Sequence, residues 1–202
     1  GLDRARRVVT GVSPLDGSHA ELEYDELVIA VGAVPGTFGV PGVADHALFL
    51  KEMRDARRIR GKIIDNLERA ATPGLPREER MRMQTYVVVG GGPTGVEFAA
   101  ELHDFMMADL ATVYPGIATR TRIVLLEAMP KILGAFDQSL SDYTAGRFRR
   151  SRIDVRTEAR VVNVAEDRLL LHDGTEIPFG LLVWATGNAP TEFVKALDLP
   201  KD

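Results

Sequence analysis

The chain has 202 residues, 45% hydrophobic and 27% charged, with a net charge of −4. This is the composition of a globular domain with a core, and the mild acidic balance gives no reason to expect nucleic acid or an anionic membrane surface as a partner. The sequence contains no cysteine, which excludes a disulfide framework, a thiolate metal site and a redox-active C-x-x-C pair within this stretch.

The four histidines, His19, His46, His103 and His172, are scattered without metal-ligand spacing and read as surface or loop residues. No apolar run reaches the about 18 residues of a membrane span, and no signal or transit segment is visible. The chain begins at Gly1 in mid-pattern and reads as a fragment of a longer one.

In chain order, Arg6–Val12 and Ala20–Tyr24 suggest two short strands joined by the turn Pro14-Leu-Asp-Gly17. Leu27–Pro35 reads as a buried strand ending at Gly32, and 37–42 as a Gly/Pro-rich linker. Asp45 is placed to cap a long helix running to about Ala70, with Leu48, Met53, Ala56, Ile59, Ile63 and Leu67 at helical spacing. Thr72-Pro73-Gly74 stops it, and Pro76 opens a short helix to about Met83.

Tyr86–Val89 is a β-branched and aromatic run, as expected of a strand covered on both faces. Gly90, Gly92 and Gly95 then fit G-x-G-x-x-G, within Gly90-Gly91-Gly92-Pro93-Thr94-Gly95. In such a turn the first glycine makes the bend, the second admits a pyrophosphate and the third lets helix pack on strand. Pro93 suits the first helical turn, and the free N–H groups of a helix start favour an anion.

A second strand, Arg122–Leu126, ends at Glu127. That carboxylate stands where an acid hydrogen-bonds an adenosine ribose and repels a 2′-phosphate, which favours NADH over NADPH; the plain alternative is a solvated strand-end carboxylate. The gap to Glu127 exceeds the usual spacing of about 20 residues. An extended helix and the loop at Pro115-Gly116 account for it.

Beyond the loop Met129–Gly134, Asp137 or Ser139 caps a helix to about Arg150, with Leu140, Tyr143, Thr144 and Phe148 on its inner side. Ile153–Arg156 is a third strand. Ala159–Ala165, Arg168–Leu171 and Glu176–Pro178 form an antiparallel meander in place of a crossover helix, with His172-Asp-Gly-Thr175 as a turn. Leu181–Gly187 is a last apolar strand, followed by Asn188-Ala-Pro190. The fold class is α/β: a Rossmann-like parallel sheet with a three-strand meander, in which Gly92, Glu127 and Gly187 share the carboxyl edge.

The stretches 27–43 (LVIAVGAVPGTFGVPGV), 49–60 (FLKEMRDARRIR), 87–102 (VVVGGGPTGVEFAAEL), 125–133 (LLEAMPKIL) and 181–190 (LLVWATGNAP) resemble the type II (alternative) NADH:quinone oxidoreductases, flavoproteins with two dinucleotide-binding domains. The resemblance implies that Gly90, Gly91, Gly92, Pro93, Thr94 and Gly95 hold the NADH pyrophosphate and that Glu97 lies near the nicotinamide. For Glu97 the alternative is a helix-start carboxylate favoured by the dipole.

It implies further that Glu127 meets the ribose, that Ala185, Thr186 and Gly187 run along the nicotinamide, and that Ala30 to Gly32 pass the flavin. Residues 1–42 would then end an FAD-binding domain, 43–190 would form the NADH domain, and 191–202 would begin the return. The cofactors implied are NADH and FAD, the latter held mostly by segments outside this sequence. The chemistry implied is hydride transfer to flavin and electron transfer to quinone, with no catalytic acid, base or metal.

Peripheral attachment to a mitochondrial inner membrane or a bacterial cytoplasmic membrane would come from a C-terminal region, and a homodimer is admitted. No EF-hand loop is present. A ferredoxin or rubredoxin reductase, an apoptosis-inducing-factor-like protein and a non-catalytic nucleotide-binding module remain as alternatives.

Overall fold

The computed structural model describes residues 1–199. Two compact units emerge, one spanning Pro35–Asn188 and the other formed by Gly1–Val34 with the segment from Ala189 onward. The smaller unit carries a three-stranded antiparallel sheet of β1 (Leu2–Asp3), β2 (Val8–Val12) and β3 (His19–Glu23). β4 (Ala33–Pro35) and, late in the chain, β13 (Asn188–Pro190) lie where the backbone passes from one unit to the other. After β13 comes α7 (Glu192–Ala196), capped by the Thr191 hydroxyl accepting from the N–H of Val194.

The larger unit is built on a five-stranded parallel sheet, in the order β5 (Leu48–Phe49), β12 (Leu181–Trp184), β6 (Thr85–Val89), β7 (Arg122–Leu126), β8 (Asp154–Arg156). β6 is central and buried along its whole length. Its side chains alternate between faces, as the pleat requires. Tyr86 and Val88 pack with Ile59, Ile63 and Leu67 of α2 (Met53–Ala71) and Ala99 and Leu102 of α4 (Pro93–Asp104).

Val87 and Val89 face the other way, into a core with Leu169, Leu171, Ile177 and Phe179. Those residues belong to, or directly follow, the meander β9 (Val161–Val164), β10 (Arg168–Leu171), β11 (Glu176–Pro178), ordered β11-β10-β9. The meander thus covers the sheet face that a crossover helix would otherwise cover. Each fully buried aliphatic side chain in these two layers contributes about 1.5–3 kcal/mol.

Three expectations from sequence are corrected. Leu27–Gly32 is neither buried nor a strand; only Ala33–Pro35 is extended in a sheet, and Val28 is 86% exposed. The run has β-propensity, but among the described residues no neighbouring strand pairs with it, and a strand needs a partner. The single helix from Asp45 is instead a short turn α1 (Val43–His46), then β5, then α2. Leu48 and Phe49 are drawn into the sheet edge beside Val183 and Trp184. α2 starts where the Asp55 carboxylate accepts from the N–H groups of Lys51 and Glu52, at 3.0 and 2.9 Å.

The inner face of α6 (Gln138–Arg150) is also displaced. Ser141 and Phe148 are buried, whereas Leu140 and Tyr143 are exposed. The Ser141 hydroxyl donates to the carbonyl of Ile132 at 2.8 Å, so a polar residue occupies the inward position. Two further α-helices are α3 (Arg77–Met83), which follows Pro76, and α5 (Ala111–Val113), with a 3-10 turn at Ala118–Arg120 before β7. Between α4 and α5 the helix widens into a π-helical segment, Phe105–Leu110, that delays the return to β7 as the long spacing to Glu127 requires.

Candidate dinucleotide site

The site forms where β6 ends. Gly90 takes φ 113°, a conformation open to glycine alone at low cost. Its N–H donates to the Leu126 carbonyl at 2.8 Å and continues the β6–β7 ladder. A Cβ on Gly90 would stand 2.6 Å from the carbonyl oxygen of Ala185, and a Cβ on Gly95 would strike the Gly90 carbonyl oxygen. Turn, helix and β12 therefore meet at backbone contact distance. Gly92 differs, because nothing lies within 4 Å of where its Cβ would be. Its side faces open space, the volume a phosphate group needs.

α4 begins at Pro93 after Gly92, so the first helical N–H groups have no acceptor in the helix. Among the described residues none accepts from the N–H of Gly92, Thr94 or Gly95; the first satisfied amide is that of Val96, which donates to the Gly92 carbonyl at 3.0 Å. These N–H groups and the positive end of a twelve-residue helix are of the kind that suits an anion.

Glu127 is half-buried at the end of β7. Its backbone is held in the sheet, the N–H donating to the Arg156 carbonyl at 2.8 Å and the carbonyl accepting from the Ala159 N–H at 2.9 Å. Its carboxylate reaches back to the turn: Oε2 accepts from the Gly91 N–H at 2.6 Å, and Oε1 accepts from the Met129 N–H at 2.7 Å. The Gly91 carbonyl in turn accepts from the N–H of Leu133 at 2.7 Å.

On the other side of β6, Ala185 continues the ladder by donating to the Val89 carbonyl at 2.8 Å. Thr186 Oγ1 and Trp184 Nε1 both donate to the Gly36 carbonyl, at 3.1 and 2.9 Å. The Gly36 N–H donates to the Gly187 carbonyl at 3.0 Å. One step further, Lys51 Nζ donates to Asn188 Oδ1 at 3.0 Å.

The carboxyl edge thus brings together Gly90 to Gly95, Glu127, Ala185, Thr186 and Gly187. Glu97 stands on α4, its carboxylate exposed and without a hydrogen-bond partner among the described residues. Ala30 and Gly32 belong to the smaller unit, on the irregular run before β4, where Gly32 takes a positive φ of 74°. Two participants were not legible from sequence, Lys51 and Gly36, which lie far along the chain from Asn188 and Gly187. Gly91 was expected at the site, but its anchoring by Glu127 was not, since in sequence it looks no different from any central residue of Gly-Gly-Gly.

A parallel sheet whose central strand runs through a glycine turn into a helix start, with a carboxylate on the next strand end, has the construction of a dinucleotide-binding domain. The comparisons agree. Residues 1–202 match the family model described as pyridine nucleotide-disulphide oxidoreductase, and the chain belongs to that family.

It is 48% identical over 183 residues, 90% of its length, to a probable NADH dehydrogenase of Dictyostelium discoideum. It is 45% identical over 180 residues to the mitochondrial external alternative NAD(P)H-ubiquinone oxidoreductase B4 of Arabidopsis thaliana. The chain spans 41% and 31% of those two relatives. Among solved structures it resembles NDH2 of Plasmodium falciparum in complex with NADH, with a TM-score of 0.87 and 34% identity over 94% of this chain and 40% of that one. A ferredoxin reductase from Rhodopseudomonas palustris, at 22% identity and a TM-score of 0.72, shares the fold.

Proposed function

We propose that this chain is the NADH-binding part of a flavin-dependent NADH:quinone oxidoreductase. The observation that carries the reading is the glycine turn, where unaccepted N–H groups at Gly92, Thr94 and Gly95 face the open space beside Gly92. The residues fit a dinucleotide. The turn accommodates its pyrophosphate, and the Glu127 carboxylate keeps acceptor directions for ribose hydroxyls, since only one hydrogen bond to each oxygen is taken. The same charge opposes a 2′-phosphate, so NADH is the preferred form.

In this reading Ala185, Thr186 and Gly187 line the nicotinamide half and Glu97 stands beside it. Residues 43–190 are the NADH domain, while 1–42 and 191–202 belong with the flavin-binding part; the last three of these lie outside the described residues. Ala30 and Gly32 are the positions assigned toward FAD. Electron acceptance is the chemistry of a bound flavin, and quinone is the final acceptor. The chain's own residues supply binding and orientation, with no acid or base among them.

The relatives' mitochondrial names support action at a quinone-bearing membrane, the mitochondrial inner membrane or a bacterial cytoplasmic one. No helix among the described residues is long and apolar enough to cross a membrane, and attachment in this reading is peripheral. Titration calorimetry of NADH and NADPH against the full-length protein tests the nucleotide assignment. A clear preference for NADH is expected, and equal affinity removes the role given to Glu127. Flavin content with quinone-dependent NADH oxidation tests the rest; a flavin-free protein that binds NADH without oxidising it would be a nucleotide-binding module instead.

A further inference from the structure

The middle glycine of the turn has no part in the G-x-G-x-x-G pattern, yet its surroundings admit nothing larger. A Cβ on Gly91 would lie 2.8 Å from Ile132 Cγ2 and 2.9 Å from both Cβ and Oε2 of Glu127. Gly91 is buried, and both its backbone polar groups are used, the N–H by the Glu127 carboxylate and the carbonyl by the Leu133 N–H. Glu127 is itself held from three directions, by the sheet bonds at its backbone, by Met129 and by Gly91. The strongest of these contacts to the turn is a charge-assisted bond at 2.6 Å.

We propose that Glu127 is a positioning residue for the glycine turn, pinning the Gly90–Gly91 peptide so that the N–H groups of Gly92, Thr94 and Gly95 present a preformed phosphate cradle. This rests on the nucleotide reading above and deepens it. One carboxylate couples the two halves of recognition: the oxygens that fix the turn are the same oxygens offered to the ribose. Gly91 is required because only a residue without a side chain lets that carboxylate reach its N–H.

The consequence differs from that of a ribose acceptor alone. A ribose acceptor touches only the sugar, and aspartate serves that role as well as glutamate. A turn anchor is needed for phosphate recognition even when no sugar is present. Aspartate is one methylene shorter and cannot span the same gap from a backbone already fixed in the sheet. Glutamine keeps the length but turns an amide donor toward one of the two N–H groups.

The test uses the full-length protein and two variants, Glu127→Gln and Glu127→Asp, with inorganic pyrophosphate and NADH as separate probes in titration calorimetry. Amide hydrogen exchange over residues 87–97 is followed in the unliganded protein. Loss of a charge-assisted bond of this kind is expected to weaken pyrophosphate binding about tenfold or more in both variants, and to raise exchange at Gly91. Pyrophosphate affinity within twofold of wild type, with NADH affinity reduced and exchange at Gly91 unchanged, overturns the proposal and leaves Glu127 as a ribose acceptor only.

If the glutamine variant fails to fold, the aspartate variant, which keeps the charge, decides by the same criteria. A wild-type protein that bound neither probe would remove the nucleotide reading. The exchange at Gly91 would still decide the anchoring role, since it is measured without ligand.

Discussion

Lys51 and Asn188 are joined across the carboxyl edge of the sheet, Nζ of one donating to Oδ1 of the other at 3.0 Å. Lys51 follows the two-residue edge strand β5, and Asn188 follows the segment Ala185–Gly187 after β12. The lysine backbone is fixed as well, its N–H donating to Asp55. The pair therefore ties the last residues of the candidate nicotinamide segment to the start of α2. Both residues are exposed, so the bond contributes to placement more than to stability.

Lys51→Met and Asn188→Ala are each expected to weaken NADH binding several-fold while shifting the melting temperature little. The double variant should lose no more than either single one, because each single substitution already removes the one bond the two residues share. A double-mutant cycle on NADH affinity checks this. Fully additive losses would mean that the two residues act separately.

Two glycines of the turn are expected to fail in different ways. Gly92 has open space where a side chain would go, whereas Gly95 has the Gly90 carbonyl oxygen. Gly92→Val should therefore keep its melting temperature within a few degrees and lose NADH binding. Gly95→Ala should lose stability by about 1–3 kcal/mol through overpacking against fixed backbone, with binding lost as a consequence. Thermal melts beside NADH titrations separate the cases. A Gly92→Val protein that binds NADH normally would contradict the phosphate role of the turn.

The parallel core was legible because its signals were redundant. Tyr86–Val89, Ile123–Leu126 and Leu181–Trp184 are short, apolar and bounded by turns, and the meander announced itself through the Asp173-Gly174 turn. What escaped depended on partners distant in sequence. β5 exists because β12 is there to pair with it, and no periodicity within 45–70 records that. Leu27–Gly32 has the composition of a strand, but pairing, not composition, makes one. At the site the glycine turn and Glu127 were readable as residue types, while the bond between Glu127 and Gly91 spans 36 residues and appears only once β6 and β7 are adjacent.

Asp154 gives an acid-limb prediction. It opens β8 and accepts from Arg122 at 2.6 Å and from Arg156 at 3.0 Å. Burial pushes its carboxyl up, but the hydrogen bonds from Arg156 and Arg122 outweigh that and hold it below its ordinary value. The native state thus binds this proton less readily than the unfolded chain. The stabilisation is present above the ordinary carboxylate value of about 4 and is lost as pH falls below it. Asp154→Asn should be less stable than wild type at pH 7, and the difference should shrink as pH falls through this window. Urea midpoints at several pH values between 2 and 7 check it; a pH-independent gap would mean that the charge of Asp154 is not what stabilises the β7–β8 edge.

Tyr86 sets the alkaline limb. The side chain is fully buried under α2, its hydroxyl donating to the Ile63 carbonyl at 3.4 Å. Desolvation pushes its phenol well above the ordinary value, with a smaller opposing contribution from Asn66. Here the native state holds its proton more tightly than the unfolded chain. The stabilisation is complete below the ordinary phenol value of about 10 and disappears as pH rises beyond it. Tyr86→Phe should cost about 0.5–1.5 kcal/mol at neutral pH, the worth of one hydrogen bond, and should lose less stability than wild type between pH 9 and 11. The crossing of the two curves in that range, followed by denaturant melts, is the expected outcome. Parallel curves would show that alkaline unfolding begins at other groups and that the Tyr86 phenol titrates alike in the native and the unfolded chain.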